Sequence, residues 1–448
     1  MTELLPVVMF LLLAGLVFTS YPIAFILGGL SILFGVLGWW AGEFRLIEFF
    51  NFIGRIWFIA ENLVIIAVPC FVFMGVMLER SHIAADLLEA LQRLLGRVPG
   101  GLAMSVTLMG TIMAAITGII GASVIVMTLI ALPTMLREGY SAPLALGTIA
   151  AASTLGILIP PSILLVFLVD MLGISEGVLF AAALFPGLLL AGLYITYIFA
   201  FSLISPKSTP PLSKREYDEP LLPLVLRGFV PPVLLVTMVL GSIFSGFTTV
   251  TESAGVGALG AMILAWGRGR LTGPILKDVI NRSTLMIGMI FFLYIGATCF
   301  AYVFRGLGGD DLILSGIDFA GLGPWGVLAL FIFIVFIMGF FFDVLEILLI
   351  AVPLFAPIII DLDFGTHLAQ ADVVYWLCIL LAVTLQTSFL TPPMGLALFY
   401  IKGVAPASVR MRDIYIGIAP FVVLQLVCVG IVMAWPKLAL WLPKALFG

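Results

Sequence analysis

The stretch "LQTSFLTPPMGLALF", residues 385–399, lies inside an apolar run from about Val373 to Ile401 that is long enough to cross a lipid bilayer. Two adjacent prolines and several hydroxyl and amide side chains nevertheless stand at its middle. Proline removes a backbone donor and kinks a helix, and the backbone groups that it frees cannot be exposed to lipid. The stretch therefore predicts a transmembrane helix that is broken at its centre.

The composition of the whole chain indicates a membrane protein. Of its 448 residues, 63% are hydrophobic and only 10% are charged, whereas a soluble domain carries roughly 25% charged residues. Apolar stretches near the ~20 residues that cross a bilayer recur along the whole length, and we find no separate soluble domain. No basic tract suggests nucleic acid as a partner.

A second proline pair repeats the first. The stretch "TLGILIPPSILLVF" at 154–167 lies in another overlong apolar run, from Pro143 to Leu172. Each proline pair is preceded by a similar pentapeptide, "LIALP" at 129–133 and "LIAVP" at 349–353. One such match carries little weight, but two pairs in the same order indicate an internal repeat, which is a recurrent feature of transporters.

Charged residues around two long apolar runs indicate the side from which each run enters the membrane. Lys and Arg accumulate in short loops on the cytoplasmic side. The run 100–135 has basic flanks, so we expect a re-entrant hairpin from the cytoplasm with "TGIIGAS" at 117–123 as its tip. The run 324–360 has acidic flanks, so its hairpin enters from outside with "GFFFDV" at 339–344 as its tip. The flanking residues are Arg93, Arg97 and Arg137 for the first run and Asp310, Asp311, Asp318, Asp361, Asp363 and Asp372 for the second.

These anchors predict two repeats with one order of elements: three spans, a hairpin, a broken span and a closing span. The first repeat covers 1–204, with its broken span at 142–172. A cytoplasmic linker covers 205–221, and the second repeat covers 222–448, with its broken span at 373–401. The halves start on opposite sides, so the expected fold class is an all-α integral membrane protein with two inverted-topology repeats. The remaining spans are expected at about 4–19, 22–40, 57–78, 177–204, 222–244, 252–266, 284–303 and 415–435, with an interfacial helix at 436–447.

Broken helices at equivalent places of inverted repeats point to a binding site near the bilayer midplane. Half-helix N-termini offer N–H groups to anions, while unwound carbonyls and half-helix C-termini coordinate cations. Hydroxyl and carbonyl oxygens suit Na+, although the residues by themselves do not separate Na+ from H+. The candidates are Gly118, Gly121, Ser123, Thr154 and Gly156 in the first half, and Gly339, Asp343, Gln386, Thr387, Ser388 and Thr391 in the second.

Three acidic residues allow more than one interpretation. An acid deep in a membrane costs ~2.5 to 3.5 kcal/mol and is by default functional, so we favour a transport role for Asp343 over capping of the following half-helix. Glu346 either shares a proton or a cation with Asp343 or lies on the solvated face of the tip. For Glu252 we favour capping at a helix start.

Five ordered motifs, spread over nearly the whole chain, resemble the large membrane subunit of tripartite ATP-independent periplasmic (TRAP) transporters. The resemblance implies a Na+-driven importer of organic acids in the bacterial inner membrane, with an elevator mechanism. It also implies two partners, a small four-helix membrane subunit and a periplasmic substrate-binding protein. The motifs are "GASVIVMTLIALPTMLREGY", "GTIAAASTLGILIPPSI", "FTTVTESAGVGALGA", "GFFFDVLEILLIAVPLFAPI" and "FLTPPMGLALFYIKGVAP".

The resemblance also assigns roles to the candidates. Two Na+ sites are implied, one per hairpin and break, with the substrate between the two tips. Ile119 and Ile120 stand where the family has small residues, and Glu346 replaces a commonly small residue, so we expect a less polar monocarboxylate rather than sialic acid or a C4-dicarboxylate. The implied Na+ ligands are Gly121, Ser123, Thr154, Gly156, Gly339, Thr387 and Thr391; the implied substrate contacts are Ser123, Asp343, Glu346, Gln386 and Ser388.

Other functions stay open at this point. A stand-alone ion- or proton-coupled carboxylate transporter or a cation/H+ antiporter has the same architecture and needs no binding protein. An intramembrane enzyme would use the paired acids Asp343 and Glu346, but nothing nearby supplies a nucleophile or a metal set. A membrane scaffold would not need polar breaks at the midplane.

Overall fold

The computed structural model describes residues 4–19, 21–81, 83–117, 120–211, 220–392 and 395–448. Within these ranges every long regular element is an α-helix. The helices of the first half are α1 (Leu5–Val17), α2 (Ile23–Ala41), α3 (Phe50–Glu61), α4 (Ala67–Arg80), α5 (Ile83–Leu95), α6 (Gly101–Thr117), α7 (Ile120–Arg137), α8 (Ala142–Thr154), α9 (Ile163–Leu172) and α10 (Glu176–Ile204). Those of the second half are α11 (Leu221–Gly228), α12 (Val230–Phe244), α13 (Val250–Gly267), α14 (Gly273–Gly306), α15 (Gly309–Ala320), α16 (Pro324–Met338), α17 (Val344–Ile360), α18 (Gln370–Leu390), α19 (Leu396–Val404), α20 (Met411–Ala434) and α21 (Lys437–Phe447).

The lengths of these helices fit a membrane protein with broken spans. Among the described residues, seven spans are long and apolar enough to cross a bilayer, or eight if α4 and α5, which bend by 65° at their junction, are taken as one. The arms of both hairpins and the two segments of the first broken span are apolar but shorter, at 10–17 residues. The predicted fold class is confirmed. The linker residues 212–219 lie outside the described ranges, and the division at 204 and 222 stays a prediction.

The two hairpins and the two breaks lie where the proline and glycine patterns predict them. Helices α6 and α7 pack against each other as hairpin one, and α16 and α17 do so as hairpin two. The first break separates α8 from α9 and contains a cis peptide bond between Pro160 and Pro161. The second break separates α18 from α19; its Pro393 lies outside the described residues.

The third predicted span, about 57–78, is wrong in its first half. Helix α3 ends at Glu61, and α4 begins only at Ala67. Asn62 adopts an extended conformation, and its side-chain oxygen accepts a hydrogen bond from the Val64 N–H at 2.9 Å. Asparagine favours such turns because its side chain replaces a backbone partner, and this turn separates α3 from the span.

The helices group into two packed units. We call α1–α4 and α11–α14 the frame, in which α4 packs on α13 and α2 on α14. We call α6–α10 and α16–α20 the hairpin body. Gly147 and Gly417 allow α8 and α20 to approach closely, because a Cβ atom at Gly147 would lie 2.0 Å from the carbonyl oxygen of Gly417. Helices α5 and α15, which the sequence pattern did not predict, each connect the frame to the first arm of a hairpin.

Candidate functional site

The tip of hairpin two is organised by a capping box. Asp343 precedes α17, and its carboxylate accepts a hydrogen bond from the Val344 N–H at 2.8 Å. The Glu346 carboxylate accepts one from the Asp343 N–H at 2.8 Å. Asp343 therefore has the geometry of a helix-capping residue. Its transport role stays a prediction. The spacing D-x-x-E was the sequence signal for this box.

Glu252 forms the equivalent arrangement in the frame. Its carboxylate accepts a hydrogen bond from the Thr249 N–H at 2.9 Å, and its own N–H donates to the Thr249 hydroxyl at 3.3 Å. The predicted capping role is confirmed, with Thr249 as the capping residue of α13.

Hairpin two lies directly against the second broken span. A Cβ atom at Gly339 would lie 2.0 Å from the Ser388 hydroxyl oxygen, so only glycine fits there. Gly339, Asp343, Glu346 and Ser388 line one cavity of about 200 Å³, which Tyr21 borders from the turn between α1 and α2. The structure thus brings four of the predicted second-half residues together.

Polar atoms remain without partners beside the second break. Gln386 is fully buried, and within the described part of the chain neither its amide oxygen nor its amide nitrogen has a hydrogen-bond partner. The buried Ser388 hydroxyl also lacks one there. Thr387 donates to the Thr384 carbonyl at 2.5 Å, and Thr391 donates to the Thr387 carbonyl. Since buried polar groups are almost always paired, Gln386 and Ser388 indicate a place for a polar ligand, water or an ion.

At the first break, the side-chain hydroxyls form hydrogen bonds with backbone carbonyls of the same segment. Thr154 is fully buried and donates to the Ala151 carbonyl at 2.9 Å, and Ser162 donates to the Ile157 carbonyl at 2.7 Å. Gly156 packs on α6, where a Cβ atom would lie 3.5 Å from the Cα atom of Ala114. Such bonds from a hydroxyl to its own backbone are common in helices.

The tip of hairpin one lies against the second half of the other broken span. A Cβ atom at Gly121 would lie 3.1 Å from the Tyr400 ring on α19. Ser123 is buried and lines a separate, small cavity with Glu79, so the structure does not place it in the cavity of Asp343. Gly118 and Ile119 lie outside the described residues.

A large cavity near both tips has a volume of about 380 Å³. Gly121 and Asp343 line it from the two hairpins, while α4 and α14 of the frame form its other wall. Its polar lining also includes Tyr400 and, from the frame, Glu79 and Arg282; most of its other side chains are apolar. Arg282 is bound through Nε to both carboxylate oxygens of Asp278 at 3.1 Å.

Sequence reasoning missed Glu79, Arg282 and Tyr400. Glu79 and Arg282 fall just outside the predicted limits of spans 57–78 and 284–303, where a charge is expected to be a loop residue. In the structure both lie inside helices, at the end of α4 and in the third turn of α14. No sequence pattern indicated that Tyr400 lies at the site.

Comparisons with known proteins agree with this architecture. A family model described as "Tripartite ATP-independent periplasmic transporter, DctM component" matches residues 10–438. A C4-dicarboxylate TRAP transporter large permease protein of Pseudomonas aeruginosa is 30% identical over 391 residues, 86% of this chain and 87% of the relative. An ectoine/5-hydroxyectoine TRAP transporter large permease protein of Ruegeria pomeroyi is 29% identical, with 86% and 87% covered. The solved structure of the Alcanivorax borkumensis YdaH transporter shares the fold, with a TM-score of 0.63 at 12% identity over 89% of each chain.

The apolar helices are those of a multi-pass membrane protein, and the matching family and relatives are transporters rather than enzymes. The chain belongs to the DctM component family of TRAP transporters, that is, to the large permease subunits that work with a substrate-binding protein and a small membrane subunit.

Proposed function

We propose that this chain imports an organic acid together with Na+ through the space between its two hairpin tips. The observation that carries the proposal is the buried Ser388 hydroxyl, which lies against Gly339 of hairpin two and, like the buried amide of Gln386 on the same helix, has no partner in the described part of the chain. A protein that only packed these helices would gain stability from apolar side chains there, because an unpaired buried polar group is costly.

Na+ is the coupling ion that the available oxygen atoms favour. The second break offers hydroxyl and backbone carbonyl oxygens from Thr387, Ser388 and Thr391, and Ser388 lies against Gly339. Hard cations bind oxygen ligands of this kind. The first site would use Gly121, Ser123, Thr154 and Gly156. We regard the second site as the better supported, because the Ser388 hydroxyl there has no hydrogen-bond partner in the described part of the chain.

The carboxylates at the tip suggest why the ion and the substrate travel together. Asp343 lines the large cavity, and its carboxylate already occupies the N-terminus of α17. An anionic substrate near it is repelled unless a cation lies between them, since two like charges at close range interact unfavourably. A bound Na+ removes this repulsion, so binding of each favours binding of the other.

The lining of the cavity favours a substrate with an apolar body and one carboxylate. Ile125, Ile157, Met286 and Phe389 are among the side chains that surround the space, and Arg282 is its only lining cation among the described residues. The C4-dicarboxylate and ectoine substrates in the names of the two relatives show that the large permease subunits accept different chemistries.

Movement of the hairpin body against the frame would expose the site to each side in turn. The two units meet where α6 packs on α4 and α17 packs on α14. In the present arrangement the large cavity is lined by Arg282, whose partner Asp278 also binds Arg80, on the side that the basic residues assign to the cytoplasm. We propose a bacterial inner membrane location, a separate small four-helix subunit and a periplasmic binding protein that delivers the substrate.

The test is uptake of labelled organic acids into liposomes that contain the chain and its small subunit. We expect uptake to require both the binding protein and an inward Na+ gradient. Uptake without a binding protein would contradict the tripartite function and favour a stand-alone carrier. Uptake driven only by protons would contradict Na+ coupling and make Asp343 and Glu346 a proton site.

A further inference from the structure

A polar contact joins the hairpin body to the frame on the side opposite to the large cavity. Asp170 lies near the end of α9, in the hairpin body. Its two carboxylate oxygens accept hydrogen bonds from the amide of Asn62, which follows α3, and from the hydroxyl of Tyr294 on α14. Both donors belong to the frame, so the carboxylate bridges the two units.

One of the two donors, Asn62, is held in place within the frame, and the other, Tyr294, makes a further contact with α9. Asn62 is fixed by the hydrogen bond that its side-chain oxygen accepts from Val64. Tyr294 is only 8% exposed, and its ring packs edge-on against Phe167 of α9 with the ring centres 5.2 Å apart. Hydrogen bonds to a charged group are roughly twice as strong as those between neutral groups, so the Asp170 carboxylate makes a strong contact with its two donors.

No such bridge is found at the equivalent position of the other repeat among the described residues. Lys402 follows Pro392 by ten residues, as Asp170 follows Pro160 by ten. Lys402 donates to the carbonyl of Val409, in the loop after its own helix, at 2.7 Å. Asp170, at the outer end of the first broken span, thus bridges the hairpin body and the frame. Lys402, at the inner end of the second broken span, bonds within the hairpin body.

A second hydrogen bond joins the hairpin body to the frame on the same outer side. The carboxylate of Glu176, at the start of α10, accepts a hydrogen bond from the Val250 N–H of α13 at 3.1 Å. An open chamber of about 550 Å³, lined by Asp170, Tyr294 and Arg55, gives solvent a path to the bridge. Because the bridge joins the two units, movement of the hairpin body relative to the frame would have to break it.

We propose that Asp170, with Asn62 and Tyr294, is a latch that holds the hairpin body against the frame in the arrangement open to the cytoplasm. This inference rests on the movement of the two units in the proposed function. The latch must then be released before the protein returns to the arrangement that loads substrate from outside. The strength of the latch contact sets the ratio of molecules in the two arrangements.

The experiment measures that ratio in single molecules of the full-length chain with its small subunit. Fluorescent labels on cysteines at Phe247 of the frame and Thr366 of the hairpin body, both exposed, report the distance between the units. Cys70, the one native cysteine that is not fully buried, is replaced by alanine. We expect Tyr294→Phe and Asp170→Asn each to lower the ratio of inward-open to outward-open molecules about tenfold, because each weakens a bond to a charged group.

Tyr302→Phe is the matched control. Tyr302 lies on the same helix and lines the same chamber, but its hydroxyl binds Asn51 at 2.6 Å and Glu48 at 3.3 Å, both in the frame region. We expect this variant to leave the ratio unchanged. If two distances are seen but Tyr294→Phe behaves like Tyr302→Phe, the latch is wrong while the movement stands. A single distance under every condition of Na+ and substrate would overturn the movement and the latch together.

Discussion

The two breaks come from similar sequences and have opposite environments. Residues 144–169 around the first break are buried without exception, and the hydroxyls of Thr154 and Ser162, at the break itself, bond to backbone carbonyls of the same segment. The second break keeps Gln386 and Ser388 without partners in the described chain, and it borders two cavities. The two breaks therefore share the same order of helices and prolines but differ in the hydrogen bonding of their polar side chains. The first break is well suited to packing, whereas the second has polar groups free to bind a ligand.

The largest effect is expected when a methyl group is added at the contact between hairpin two and the second break. Gly339→Ala should lower uptake about 100-fold, because its Cβ atom would lie 2.0 Å from the Ser388 oxygen and overpacking costs about 1 to 3 kcal/mol. Gly156→Ala is the control at the first break, where the nearest atom would be 3.5 Å away. Uptake rates and thermal stability are measured for both. Equal losses would show that the two breaks are packed alike.

An intermediate effect is expected when the tip carboxylate loses its charge but keeps its shape. Asparagine caps a helix about as well as aspartate, so Asp343→Asn should leave thermal stability unchanged. Uptake should fall about tenfold if the carboxylate contributes a charge-assisted contact to Na+. Glu252→Gln, in the exposed capping box of α13, serves as the control and should change neither quantity. Unchanged uptake in Asp343→Asn would reduce Asp343 to a capping residue.

The smallest effect is expected when a hydroxyl is removed at each break. Ser388 has no described partner to lose, so Ser388→Ala should keep the stability and raise the Na+ concentration for half-maximal uptake about threefold to tenfold. Ser162→Ala breaks the bond to Ile157 and should cost about 1 kcal/mol of stability with the Na+ dependence unchanged. Titration of uptake against Na+ distinguishes them. A shift in Ser162→Ala alone would place the more important Na+ site at the first break.

Local patterns were sufficient for much of the fold and part of the site. The proline pairs predicted both breaks, and the glycine and the aspartate of "GFFFDV" predicted the tip of hairpin two, where α16 ends at Met338 and α17 begins at Val344. The third span failed because Asn62 forms a turn that hydropathy does not register. Helix α5 was not predicted as an element, since 13 residues with several charges resemble a loop.

The sequence by itself determined what depends on neighbours along the chain. Apolar run length fixes how many segments reach across a bilayer, proline fixes where a helix breaks, and basic loops indicate which side is cytoplasmic. The tertiary structure decided which polar atoms stay unpaired and which charges meet. Asp170 and Tyr294 are 124 residues apart in sequence, and Ser123 is separated from Asp343 although both are expected at tips. Such pairings depend on how helices pack, and that packing is set by the fit of many side chains at once rather than by any single stretch.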